Sequence, residues 1–321
     1  MSAHDAATLD VAQLPIIDIA RMDGSAADRQ AVGEAVRGAC LDTGFFYVAN
    51  HGVPQALIDR TFAEAARFFD LPMDVKQAMD RAKSRANRGY EPFGGQTHTG
   101  GTPDRKEGVY FGIERPEPAD GVYKFSQGPN QWPPGVPGFR EAMEEYFAAM
   151  MVAGRRLWRA LALSVRLPED YFEPGLDDPI ALLRLLHYPP QPPNPDPGEK
   201  GCGEHTDFGA FTMLMQDSNG GLQLLDRRRG WVHARPIPGT YVVNLGDMIA
   251  RWTNDHFKST SHRVINISGR DRYSIPFFFN VSADYMVECL PTCTGAGDPP
   301  RYPAVRVSDY MTKRYRETYG S

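Results

Sequence analysis

His205 and Asp207 stand two residues apart in the segment Gly203-Glu204-His205-Thr206-Asp207-Phe208-Gly209. On a β-strand, side chains at that spacing leave the same face, so the pair could share one partner. An imidazole and a carboxylate so placed suggest a metal site. The best source of a third ligand is His262, at the end of the polar stretch that begins at Asn254. Two imidazoles and one carboxylate on one side of a metal leave its other positions open, the set expected of a non-haem Fe(II) centre. Zinc hydrolases use similar donors but usually carry them as H-E-x-x-H on a helix, a spacing this chain lacks. Ten residues past His262 come Arg272 and Ser274, a cation and a hydroxyl two apart on an expected strand and suited to gripping a carboxylate.

These residues need a rigid frame, and the pattern of the chain predicts a β one. From Ala181 onward short β-rich runs recur at 181–187, 211–216, 222–225, 231–234 and 241–244, separated by glycine-bearing turns. Residues 257–267 and 272–281 read as a hairpin around Ser268-Gly269-Arg270-Asp271. Regular short strands of this kind predict a double-sheet jelly roll. Upstream, apolar spacing predicts helices over 26–41, from Pro54 to about Phe69, after Pro72, and over 138–167, with short strands at 14–19 and 45–49. The stretch 85–112 is rich in glycine and polar residues and is expected to be an irregular loop. Residues 308–319 close the chain as a helix. The expected fold is therefore mainly β with flanking helices. It is one domain over 1–321: a supporting region to about 170, a jelly-roll core over 181–285, and a C-terminal segment from 286.

The bulk properties exclude several classes. The 321 residues, 41% hydrophobic and 23% charged, can bury a sizeable core. A net charge of −5 argues against a general nucleic-acid binder, and no apolar run is long enough to span a membrane. Cys40, Cys202, Cys289 and Cys293 show no disulfide framework, which points to a cytoplasmic protein. Among eight histidines, His51 and His187 read as structural, and His4, His98, His233 and His256 as solvated.

The chain resembles the isopenicillin N synthase-like group of Fe(II)/2-oxoglutarate-dependent dioxygenases. The resemblance runs from Leu14-Pro15-Ile16-Ile17-Asp18, through the segment Gly44 to Pro54, to Arg272-Tyr273-Ser274-Ile275-Pro276-Phe277-Phe278. It implies that His205, Asp207 and His262 bind Fe(II), and that Arg272 and Ser274, helped by Tyr188, hold the far carboxylate of 2-oxoglutarate. The implied reaction couples decarboxylation of 2-oxoglutarate to succinate and CO2 with oxidation by O2 of a C–H bond in a small-molecule substrate. Hydroxylation, desaturation or ring closure are the expected outcomes. Arg88, Tyr90 and Tyr110, in the stretch 85–112, are expected to contribute to the substrate wall; Phe277 and Phe279 are candidates for its apolar side, with the core as the equal alternative. Leu186 departs from the asparagine that many plant members carry two residues before the tyrosine. Two alternatives stay open. One is an oxidase of the isopenicillin N synthase type, which keeps R-x-S but needs no 2-oxoglutarate. The other is a non-catalytic iron or 2-oxoglutarate binder.

Overall fold

The computed structural model describes residues 13–97, 102–191, 198–266 and 268–319, so His4 and His98 lie outside the described residues. The larger sheet runs β1 (Ile16–Asp18), β2 (Phe45–Ala49), β10 (Thr240–Leu245), β7 (Phe211–Gln216), β12 (Arg272–Ser282), β5 (Pro179–Tyr188), β4 (Glu107–Gly112) and β3 (Gly89–Glu91). The smaller runs β6 (Cys202–His205), β11 (His262–Val264), β8 (Leu222–Asp226) and β9 (Gly230–His233). A two-stranded ribbon, β13 (Met286–Val287) with β14 (Val305–Arg306), lies near the end of the chain. The core is the expected jelly roll.

The period of two along each strand divides the side chains between two layers. In β12, Ile275, Phe277, Phe279 and Val281 enter the core on the helix side of the larger sheet. Their neighbours Ser274, Pro276, Phe278 and Asn280 face the space toward the smaller sheet. In β5, Leu183 and Leu185 join the helix-side core, while Leu186 and Tyr188 join the inter-sheet core with Phe45, Leu222, Leu224 and Val264.

The helices are α1 (Ala26–Asp42), α2 (Gln55–Phe69), α3 (Met73–Ala78), α4 (Phe139–Ser164), α5 (Asp247–Trp252) and α6 (Val307–Tyr319). A capping box between Ser25 and Asp28 starts α1. The brace of the larger sheet is α4. Its Trp158 packs against Phe211 and Phe279, and its Phe147 against Phe277.

Two expectations are overturned. The stretch 85–112 is not wholly irregular: it holds β3 and β4, fully buried at the edge of the larger sheet beside β5. Glycines at positions 89, 108 and 112 hide the strand pattern. Gly108 packs closely against β5: a Cβ there would lie 3.0 Å from the Leu186 side chain and 3.1 Å from that of Arg184. Nor do 257–267 and 272–281 form a hairpin. β11 pairs with β6 and β8, whereas β12 pairs with β5 and β7. The intervening turn is a corner between sheets. Asn266 holds it by accepting from Ser268 Oγ at 2.7 Å and donating to the carbonyls of Tyr188 and Arg270. The helix α5 leaves no trace in the sequence pattern, since six residues are too few to show a helical period.

Candidate active site

His205 ends β6 and His262 begins β11, and the antiparallel register sets the two residues directly opposite each other. Their ring centroids are 4.3 Å apart. Asp207 is not on the strand. It follows two residues later in the loop leading to β7, so a turn, not a shared strand face, brings it beside His205. One ligand atom from each of the three side chains lies within 4.8 Å of the others, a cluster that could hold a metal ion.

The surroundings fix which atom each residue presents. His205 Nδ1 lies 2.8 Å from the Gly203 carbonyl, and His262 Nδ1 lies 3.1 Å from the Thr260 carbonyl. A carbonyl only accepts, so each Nδ1 carries the proton and each Nε2 keeps its lone pair for the site. Both Nε2 atoms face Asp207 Oδ1, at 3.8 and 3.9 Å. The other carboxylate oxygen is taken: Asp207 Oδ2 accepts from Thr212 Oγ1 and from Asn244 Nδ2 at 2.7 Å. Burial pushes the Asp207 carboxyl up, but the two imidazoles and these hydrogen bonds outweigh it and hold the group below its ordinary pKa. The site thus offers two imidazole lone pairs and one carboxylate oxygen, a donor set that fits Fe(II).

Arg272, Ser274 and Tyr188 line the same cavity of about 140 Å³. Arg272 is fully buried (0% exposed), and among the described residues no carboxylate lies within ion-pair distance of it. Its Nε donates to the Gly220 carbonyl, its Nη1 lies 3.3 Å from Ser274 Oγ, and its guanidinium sits 4.7 Å from the Tyr188 ring centroid. Gly221, next to the Gly220 carbonyl that receives the Nε bond, has to be glycine. It has φ +91°, and a Cβ there would approach the Ile265 carbonyl to 2.6 Å.

The remaining expectations divide. Tyr110 lines the cavity, stacked on Arg184 with its ring 4.3 Å from that guanidinium. Tyr90 does not. It points to the helix side and donates to Glu107 at 2.6 Å, because Tyr110 and Tyr90 belong to paired strands but opposite faces. Arg88 is buried away from the cavity, donating to Ser126 Oγ and the Ala86 carbonyl at 2.9 Å. Phe277 and Phe279 are core. The alternation that exposes Ser274 to the cavity also exposes Phe278, so the expected cavity face of β12 is out of register by one residue. His51 is structural, its Nδ1 accepting from the Val53 N–H at 3.1 Å. His187 is held between Glu107 and Asp271, and His256 pairs with Asp298. His233 lies on β9 opposite Gln223. None of the four cysteines is in a disulfide. Sequence reasoning passes over Thr212, Asn244, Phe208 and Arg184. For Thr212, only its position two residues into β7 past the metal loop could signal the role.

A jelly roll carrying two histidines and an aspartate beside a buried arginine defines a mononuclear non-haem metal enzyme. Residues 14–135 match the family described as non-haem dioxygenase in morphine synthesis, N-terminal, and residues 179–281 match the 2OG-Fe(II) oxygenase superfamily. The 2-oxoglutarate-Fe(II) type oxidoreductase hxnY of Emericella nidulans is 42% identical over 95% of this chain and 90% of its own length. The 2-oxoglutarate-dependent dioxygenase citB of Monascus ruber is 39% identical over 95% of each chain. Among solved structures, a full-length Neurospora crassa protein crystallised in complex with alpha-KG and thymine superposes with a TM-score of 0.85 at 30% identity, covering 97% of this chain and 99% of that one. The chain belongs to the 2OG-Fe(II) oxygenase superfamily. It is an oxidoreductase whose cofactors are Fe(II) and 2-oxoglutarate. Among the described residues no helix is long and apolar enough to cross a membrane.

Proposed function

We propose that His205, Asp207 and His262 hold Fe(II), that Arg272 with Ser274 and Tyr188 holds the far carboxylate of 2-oxoglutarate, and that the enzyme oxidises a C–H bond of a small ring-bearing molecule. The observation that carries this reading is Arg272, a fully buried guanidinium with no carboxylate partner among the described residues, in the cavity of the metal cluster. An unpaired buried charge costs several kcal/mol, and a bound dicarboxylate would offset it. When bound, iron and 2-oxoglutarate supply the reduction of O2, with release of succinate and CO2. The chain's own residues do the rest. Thr212 and Asn244 orient Asp207, the Gly203 and Thr260 carbonyls set the imidazole tautomers, and the Gly220 carbonyl aims Arg272.

The substrate end of the cavity supports the substrate class. Tyr110, Phe208, Phe278 and Tyr315 supply aromatic faces, while Arg184 and Asn280 supply polar groups. That lining suits a planar ring with polar edges, and the Neurospora structure with thymine is of a related protein that takes one. We read the whole chain as one oxygenase domain, with 181–285 as its catalytic core. Its four cysteines, none in a disulfide, fit a reducing compartment such as the cytoplasm.

Arg272→Ala tests the assignment. Losing the charge-assisted fork should raise the KM for 2-oxoglutarate more than about tenfold while iron still loads. Arg272→Lys should recover only part, because an ammonium cannot make two parallel bonds. The assay is succinate release with titrated 2-oxoglutarate. If the wild-type protein consumes O2 and a substrate without 2-oxoglutarate, and Arg272→Ala weakens that substrate instead, the oxidase reading replaces this one.

A further inference from the structure

The outer wall of the cavity is not part of the jelly roll. Met311 and Tyr315, one turn apart on α6, line it beside Phe208. The start of α6 is anchored by its backbone: the Val307 N–H donates to the Tyr285 carbonyl at 3.0 Å and the Ser308 N–H to the Ala283 carbonyl at 2.9 Å. Further along the helix, Arg314 reaches back to the core. Its Nη2 lies 3.1 Å from Asp247 Oδ2, and its guanidinium covers Phe208 at 4.6 Å from the ring centroid.

Asp247 is more than a counter-ion. Its Oδ2 also accepts from Thr206 Oγ1 at 3.1 Å, and its Oδ1 accepts from Ser259 Oγ at 2.7 Å. Its backbone N–H donates to the Asp207 carbonyl at 2.8 Å. Thr206 lies between His205 and Asp207, and Ser259 lies three residues before His262. One carboxylate therefore ties together both segments that bear the candidate metal ligands, and Arg314 ties the wall helix to that carboxylate.

We infer that Arg314 is a positioning residue that, through Asp247, couples the seating of α6 over the cavity to the order of the two ligand-bearing segments. The inference concerns the chain's own coupling and draws on the iron and 2-oxoglutarate reading only for its effect on turnover. With α6 seated, Met311 and Tyr315 close the substrate side and exclude water. With it released, Phe208 loses its cover, and Asp247 keeps only its neutral hydroxyl and backbone partners.

The test uses the full-length protein and its Arg314→Ala, Arg314→Lys and Asp247→Asn variants. Hydrogen exchange without iron or 2-oxoglutarate is the first readout. Arg314→Ala should speed amide exchange about fivefold both in 307–319 and around Thr206 to Phe208, with circular dichroism unchanged. Arg314→Lys should restore part of the protection, and Asp247→Asn should loosen the same two regions. The second readout is 2-oxoglutarate decarboxylation without substrate, whose rate should rise in Arg314→Ala while the KM for 2-oxoglutarate stays put. If α6 alone loosens, or neither region does, Arg314 is an ordinary surface ion pair and the inference fails. If wild type shows no visible charge-transfer band with anaerobic Fe(II) and 2-oxoglutarate, the cofactor reading fails, and the exchange result still judges the coupling.

Discussion

At the scale of single residues, the candidate site depends on groups that touch no metal. Asp207 can present Oδ1 to a metal because Oδ2 is occupied by Thr212 and Asn244. Removing one such support typically weakens a metal site about 10- to 100-fold. Asn244→Ala should therefore lower Fe(II) affinity about tenfold or more, as read by anaerobic equilibrium dialysis. Glu204 is the contrasting case. It adjoins His205 but turns away, its Oε1 accepting from Arg263 Nη1 at 3.1 Å. Glu204→Gln should bind iron as wild type does, and a loss matching that of Asn244→Ala would mean the ligand set has been misassigned.

At the scale of elements, a polar knot that runs from the core to the surface clamps β5 between its neighbours. His187 on β5 has Nδ1 2.8 Å from Glu107 Oε1 on β4, and Nε2 2.8 Å from Asp271 Oδ1 just before β12. Burial lowers its pKa, but the two carboxylates outweigh that and hold it above the ordinary histidine value. A pKa raised by folding contributes stability that is complete below the unfolded value, near about 6.5, and is lost as pH climbs through the folded value. The wild-type melting temperature should fall with rising pH over that window, and His187→Gln should flatten the dependence. An equal slope in both would place the titration elsewhere. Helix α4 imposes a different constraint. A Cβ at Gly154 would sit 2.3 Å from Phe279 Cδ1, so helix and sheet meet at a distance only glycine permits. Gly154→Ala should destabilise by about 1–3 kcal/mol in urea unfolding, and a neutral result would show that the ring can move aside.

For the molecule as a whole, the cofactors should act as structural ligands. Metal and dicarboxylate would satisfy groups that folding buries, namely the triad and Arg272, so they bind the folded chain preferentially. Saturation at 100 times the dissociation constant stabilises by about 2.7 kcal/mol. Anaerobic Fe(II) should raise the melting temperature, and 2-oxoglutarate should raise it further. Arg272→Ala should keep the first increment and lose the second. If 2-oxoglutarate still stabilised that variant, its far carboxylate would have to be held by another group.

The sequence alone determined the strand-rich core, and it singled out the candidate metal and carboxylate residues, because these depend on residue type and short spacing. His205, Asp207, Arg272 and Ser274 lie close to one another in pairs, and the strands 211–216 and 241–244 are carried by local β-branched and apolar patterns. What only the tertiary structure decided concerns partners and faces. The pairing of His262 with His205 links residues 57 apart through the strand register. The choice of Phe278 over Phe277 for the cavity depends on which face of β12 meets the smaller sheet, and a one-residue slip reverses it. β11 and β12 look like a hairpin because a glycine turn follows from local chemistry, whereas passage from one sheet to the other is settled by what each strand finds to pair with. Met311 and Tyr315 sit more than 30 residues beyond Ser274 and carry no local sign of their role. Their place in the cavity wall comes from long-range contacts, the Val307 and Ser308 N–H groups on the Tyr285 and Ala283 carbonyls and Arg314 on Asp247, that form once the chain has closed on itself.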